Sequence, residues 1–212
     1  MLAAGNCQTS QAMAIYYNIF EPAERKAAFE QLINLIEEQE YHLDVGVLGG
    51  RVLFHVLTEF GYSDLAFSMI TRPDYPSYGN WIARGATTLW EVFQPEGSDR
   101  IGSLNHHFWG DISSWFTQAL SGIRMAPHGE PNEVDFRPSF ISRLTHAEAF
   151  HIAPAGRIAS AWERDEDDVI VLTVKLPSTM HGVIRLESGY VFEDDLAYKA
   201  AESGTYRIHS IE

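Results

Sequence analysis

Glu91 is the carboxylate whose surroundings most invite chemistry. It follows Gly85-Ala86-Thr87-Thr88-Leu89-Trp90 and precedes Val92 and Phe93, so apolar side chains crowd an acid. Burial raises a carboxyl pKa and hydrogen bonds to the ionised form lower it, which makes such a position tunable as a general acid or base. The alternative is a side chain that points to solvent from a short strand. His106 closes Ser103-Leu104-Asn105-His106, just before the last clear helical stripe. Its ring either reaches a ligand hydroxyl or caps that helix. Tyr78, Trp81 and Trp90 belong to the same stretch and need either burial or a ligand to stack on.

Other constellations carry less. His106 and His107 are adjacent, and sequence neighbours rarely coordinate one ion; no His-x-x-x-His or helical carboxylate pair supports them. No metal ligand is therefore assigned and no cofactor is expected. Asp165-Glu166-Asp167-Asp168 lacks the glycine-centred loop of a calcium site and reads as a solvated hairpin turn. No Walker loop or strand-linked Gly-x-Gly-x-x-Gly occurs. Cys7, the single cysteine, cannot form an intrachain disulfide and reads as inert packing in an apolar helix.

Composition narrows the partners. The 212 residues carry 15 basic and 29 acidic side chains, a net charge of −14. Binding to nucleic acid needs a basic stripe that displaces counterions, and none is present, so neither nucleic acid nor an anionic membrane surface is expected as a partner. No apolar run approaches the roughly 20 residues of a membrane helix. Met1–Asn6 lacks the basic start and apolar core of a signal peptide, which leaves the compartment open.

The elements that must position Glu91 and His106 come in two textures. Over the first ~125 residues apolar positions recur with the helical period. Ala28, Phe29, Leu32, Ile33 and Ile36 make one stripe after Pro22, which suits a first helical position. Val52, Leu53, Val56, Leu57 and Phe60 make another, with Gly61 as its C-terminal cap. Tyr62, Leu65, Ala66, Met69 and Ile70 form a third, and Ile112, Trp115, Phe116, Ala119, Leu120 and Ile123 a fourth. Gln8 to Tyr17 forms a helix of weaker pattern. Short links predict antiparallel helical hairpins. Asp74 to Asn105 breaks this rhythm with Pro, Gly, Ser and aromatics and no clear helix, an ordered excursion of the kind that lines a site.

After Ala126-Pro127-His128-Gly129-Glu130-Pro131 the period becomes two. Ile170, Leu172, Val174 and Leu176 alternate with their neighbours up to Pro177, and Ile184 with Leu186 and Tyr206 with Ile208 repeat the pattern. Short strands at this spacing predict an antiparallel sandwich. The predicted organisation is a helical domain over 1–125, a linker over 126–134 and a β-sandwich over 135–212.

Leu48-Gly49-Gly50 before a helix, Tyr75-Pro76-Ser77-Tyr78-Gly79, Gly85-Ala86-Thr87-Thr88-Leu89-Trp90-Glu91 and Ser103-Leu104-Asn105-His106 together resemble the C-terminal part of bacterial α-L-rhamnosidases. Gly156–Trp162, Leu176-Pro177 and Glu202-Ser203-Gly204-Thr205-Tyr206 resemble that family's terminal sandwich. The resemblance spans nearly the whole chain. It implies an α+β two-domain fold, a partial (α/α)₆ toroid of helical hairpins followed by an antiparallel β-sandwich. It further implies an inverting glycosidase acting on a rhamnose-containing carbohydrate. Glu91 matches the family's general base and His106 a histidine that contacts the bound rhamnose, with Trp90, Trp81 and Tyr78 as further substrate-binding candidates. The general acid belongs to an earlier motif, so this chain is expected to be inactive alone and to self-associate through an incomplete helical ring. Tyr78 stands where family members commonly have Trp, and Val92-Phe93 where they have Arg-Trp. The alternative is a non-catalytic carbohydrate-binding or structural module.

Overall fold

The computed structural model describes residues 1–98, 102–127 and 129–211, so His128 of the predicted linker and residues 99–101 of the excursion lie outside the described residues. The chain forms two compact units, Met1–Ser113 and Ser114–Glu212.

The first unit is helical. Its elements are α1 (Gln8–Tyr16), α2 (Arg25–Glu38), α3 (Val47–Gly50), α4 (Leu53–Glu59), α5 (Ser63–Thr71), α6 (Tyr78–Ala83), a 3₁₀ turn (His107–Trp109) and the start of α7 (Asp111–Trp115). The weak pattern of α1 has a physical reason: it buries Gln8 and Gln11 beside Ala12 and Ile15. Both amides are satisfied, Gln8 Nε2 donating to the His42 carbonyl at 3.0 Å and Gln11 Nε2 to the Ala28 carbonyl at 2.8 Å. Cys7 sits at the N-cap of α1 rather than inside the helix, and hydrogen bonds with Ser10 lower its thiol pKa. Pro22 lies in the turn before α2, which begins at Arg25. Helix α2 buries Ala28, Phe29, Leu32, Leu35 and Ile36, and Phe29 stacks on Phe60 with centroids 4.1 Å apart. Gly61 ends α4 with φ +82°, a left-handed conformation that glycine adopts without a Cβ penalty.

The excursion after Asp74 is not free of helix. Ser77 accepts a hydrogen bond from the Asn80 amide at 2.8 Å and caps α6, where Tyr78 and Trp81 are buried.

The second unit opens with the end of α7 and a π-helical turn over Phe116–Leu120. The fourth helical stripe stops there. Ile123, expected on it, starts a strand, β1 (Ile123–Met125), so residues 123–125 belong to a sheet. The remaining strands are β2 (Val134–Phe136), β3 (His146–Ala153), β4 (Gly156–Arg164), β5 (Ile170–Lys175), β6 (Val183–Arg185), β7 (Tyr190–Phe192), β8 (Tyr198–Ala200) and β9 (Gly204–Ser210). They form a four-stranded sheet, order β1-β2-β6-β8, and a five-stranded sheet, order β3-β4-β5-β9-β7. Pairing is antiparallel except between β2 and β6, which run parallel through Phe136 and Ile184. Val134, Phe136 and Ile184 from one sheet share a core with Ile158, Trp162, Leu172, Val174 and Ile208 from the other. Each such fully buried aliphatic contributes about 1.5–3 kcal/mol relative to exposure. The acidic run forms the β4–β5 turn, where Asp165 Oδ1 accepts from the Asp167 and Val169 amides.

Candidate active site

Glu91 and His106 are brought together by a short ladder between two irregular segments. The Glu91 amide donates to the Ser103 carbonyl at 2.8 Å, and the His106 amide to the Leu89 carbonyl at 2.8 Å. Thr88 Oγ1 also donates to the Leu104 carbonyl. The ladder closes on the carboxylate itself, since the Ser103 amide donates to Glu91 Oε2 at 2.8 Å. A hydrogen bond to an ionised acceptor is roughly twice as strong as a neutral one, so this contact orients the carboxylate as well as satisfying it. Gly102 lies against the same group: a methyl there would sit 3.3 Å from Glu91 Oε2 and 3.2 Å from Val92 Cγ2. Glu91 is partly buried rather than enclosed. His106 occupies the N-cap position of the 3₁₀ turn, yet its side chain makes no capping bond.

The aromatic candidates divide. Trp90 is partly buried, and the Arg84 guanidinium lies over its ring at 5.3 Å, a cation–π contact. Tyr78 and Trp81 are 7% and 2% exposed. Both are candidates for substrate contact, and both lie in a buried aromatic floor. Trp81 stacks on Phe93 with centroids 4.3 Å apart, and Tyr78 meets Trp81 edge-on at 5.4 Å. Aromatic rings bury their large apolar area efficiently in such offset and edge-on pairs. Burial, together with the nearby Asp111 charge, raises the Tyr78 phenol pKa well above its ordinary value. Its hydroxyl donates to the Trp109 carbonyl at 3.2 Å.

Trp109 is the residue that motif reading missed. It is buried, and its Nε1 donates to the backbone carbonyl of Glu91 at 2.9 Å. The signal available was a tryptophan three residues after His106, which periodicity alone does not single out. Among the described residues no group of three or more His, Cys, Asp or Glu side chains is placed to hold a metal ion. Among them, too, no helix is long and apolar enough to cross a membrane.

Residues 2–120 match the family model described as the bacterial alpha-L-rhamnosidase 6 hairpin glycosidase domain, which places the helical unit in the six-hairpin glycosidase class. Residues 132–189 match the bacterial alpha-L-rhamnosidase C-terminal domain. The chain belongs to the bacterial α-L-rhamnosidase family. An alpha-L-rhamnosidase of Streptomyces avermitilis is 31% identical over 179 residues, 82% of this chain and 17% of that protein. One from Formosa agariphila is 32% identical over 178 residues, 81% of this chain and 19% of the relative. The crystal structure of the Streptomyces avermitilis alpha-L-rhamnosidase complexed with L-rhamnose superposes with a TM-score of 0.84 at 28% identity, covering 97% of this chain and 22% of that one. This chain thus spans about a fifth of the length of these relatives.

Proposed function

We propose that this chain is part of an inverting α-L-rhamnosidase that hydrolyses terminal α-L-rhamnose from glycosides or polysaccharides, with Glu91 as the general base. The observation that carries the reading is the ladder that ties Glu91 and His106 together and sets the Ser103 amide on the Glu91 carboxylate. Membership of the family supports the reaction class.

In this reading Glu91 takes a proton from a water as the water oxygen bonds to the anomeric carbon. The bond from that carbon to the glycosidic oxygen breaks on the opposite face, and a second carboxylic acid protonates the departing oxygen. Inverting glycosidases hold the two carboxyl groups roughly 6.5–9.5 Å apart so that the water fits between them. His106 contacts the rhamnose through its ring. The partner acid is supplied from the larger part of the enzyme that the matched fifth of the relatives does not cover, so the 212-residue chain alone turns over little or no substrate.

The test uses a rhamnosidase carrying this segment and an aryl α-L-rhamnoside. The first-formed sugar is the inverted anomer, read by proton NMR. Glu91→Gln lowers kcat by about 10²-fold or more and leaves substrate binding largely intact. Near-normal turnover in that variant, or a retained anomer, rules out the general-base role.

A further inference from the structure

The helical unit holds an open cavity of about 480 Å³ that the mechanism above does not use, lined by Val47, Leu48, Arg51, His107, Phe108 and Asp111. It lies between α3 and the 3₁₀ turn that follows His106, and neither Glu91 nor His106 lines it. Phe108 joins the two regions, because its ring stands edge-on to His106 with centroids 4.5 Å apart. The volume falls within the range of small-ligand sites.

The wall has a specific chemistry. Leu48 and Phe108 are 57% and 52% exposed, an apolar surface of the kind that the C–H face of a sugar ring covers. The Arg51 side chain offers five N–H donors and no acceptor, and among the described residues it makes no hydrogen bond or ion pair. Asp111 offers acceptors only. His55 Nε2 lies 3.1 Å from its Oδ2, which holds the carboxylate in place. A donor fork and a held acceptor lining the same cavity match neighbouring hydroxyls, each of which donates and accepts at once. The same pair selects against charge. An anion that pairs with Arg51 is repelled by Asp111, and a cation that pairs with Asp111 is repelled by Arg51, so an uncharged ring is the ligand that both side chains meet favourably.

We propose that this cavity is a subsite for a neutral pyranose linked to the rhamnose, with Arg51 and Phe108 as specificity-determining residues. The inference rests on the rhamnosidase reading for the sugar at His106, but the cavity residues are tested separately from it.

The experiment is an NMR titration of the 212-residue chain with L-rhamnose, with an α-L-rhamnosyl-glucose disaccharide and with its rhamnosyl-glucuronate counterpart. The disaccharide should bind about tenfold more tightly than rhamnose, the effect of one well-made charged hydrogen bond. Arg51→Ala should remove that advantage while leaving rhamnose affinity and thermal stability unchanged, since the side chain is exposed, and Phe108→Ala should remove it as well. Equal affinity for rhamnose and the disaccharide overturns the subsite and leaves the rhamnosidase reading standing. Tighter binding of the glucuronate overturns the assignment of a neutral ring. Binding of the disaccharide that depends on Arg51 but not on His106 keeps the cavity as a sugar site and counts against His106 as the rhamnose contact.

Discussion

The indole nitrogen of Trp109 donates to the backbone carbonyl of Glu91 at 2.9 Å. This bond links the candidate base to the buried aromatic floor, because the Trp109 carbonyl in turn accepts from Tyr78. Position of the carboxylate and packing of the core are therefore one problem.

Trp109→Phe keeps most of the apolar volume and removes the donor. An unsatisfied carbonyl in this setting costs about 1–3 kcal/mol. Urea unfolding of the chain should register that loss. In an active enzyme, kcat should fall while KM changes little, because the variant misplaces Glu91 rather than a binding group.

Gly50→Ala attacks the same floor from the other side. A methyl at Gly50 would lie 2.5 Å from Trp109 Cζ3, and the Trp109 ring is buried. Overpacking of this kind typically costs about 1–3 kcal/mol. The variant should unfold at lower denaturant, and combining it with Trp109→Phe should give a non-additive loss, since the two residues touch.

Asp74 carries a pH dependence whose sign is set. The bidentate Arg72 guanidinium, and then His42 at 2.8 Å, hold its carboxyl well below the ordinary value of 3.8. A depressed folded-state pKa contributes stability above the unfolded value and loses it as pH falls below that value. The side chain is half exposed, which limits the effect to at most about 1 kcal/mol. Melting temperatures of the parent and Asp74→Asn should therefore differ at neutral pH and converge as pH falls below about 4.

Asp135 is the ionic anchor of the four-stranded sheet. It is buried on β2, with Arg137 Nη2 at 2.6 Å and the Val183 amide of β6 at 3.4 Å. Asp135→Ala leaves a buried amide and a partly buried guanidinium without their acceptor. The expected cost is about 1.5–3 kcal/mol by chemical unfolding. Asp135→Asn, which keeps an acceptor for the Val183 amide, should cost less.

Local pattern made much of this molecule readable. Helix α2 and strand β5 each bury one face, so their apolar residues recur at the period of the backbone, and that period is a property of the chain alone. Glu91 and His106 stood out as candidates, because an acid among apolar residues and a histidine before a helix are local facts. Strand β3 was not. It turns Ala147 and Ala149 inward and leaves Phe150 and Ile152 exposed, which inverts the usual contrast between core and surface. Helix α1 was faint because its buried glutamines find partners on other segments.

The amino-acid sequence by itself determined the change from helical to alternating period, the family, and which acid and histidine to watch. Only the tertiary structure decided that Tyr78 and Trp81 are buried, that Trp109 holds the Glu91 carbonyl, and that Arg51 and Asp111 line one cavity. The physical reason is separation along the chain. Arg51 and Asp111 lie on different elements, as do Trp109 and Glu91, and a contact that closes a long loop leaves no periodic trace in either segment.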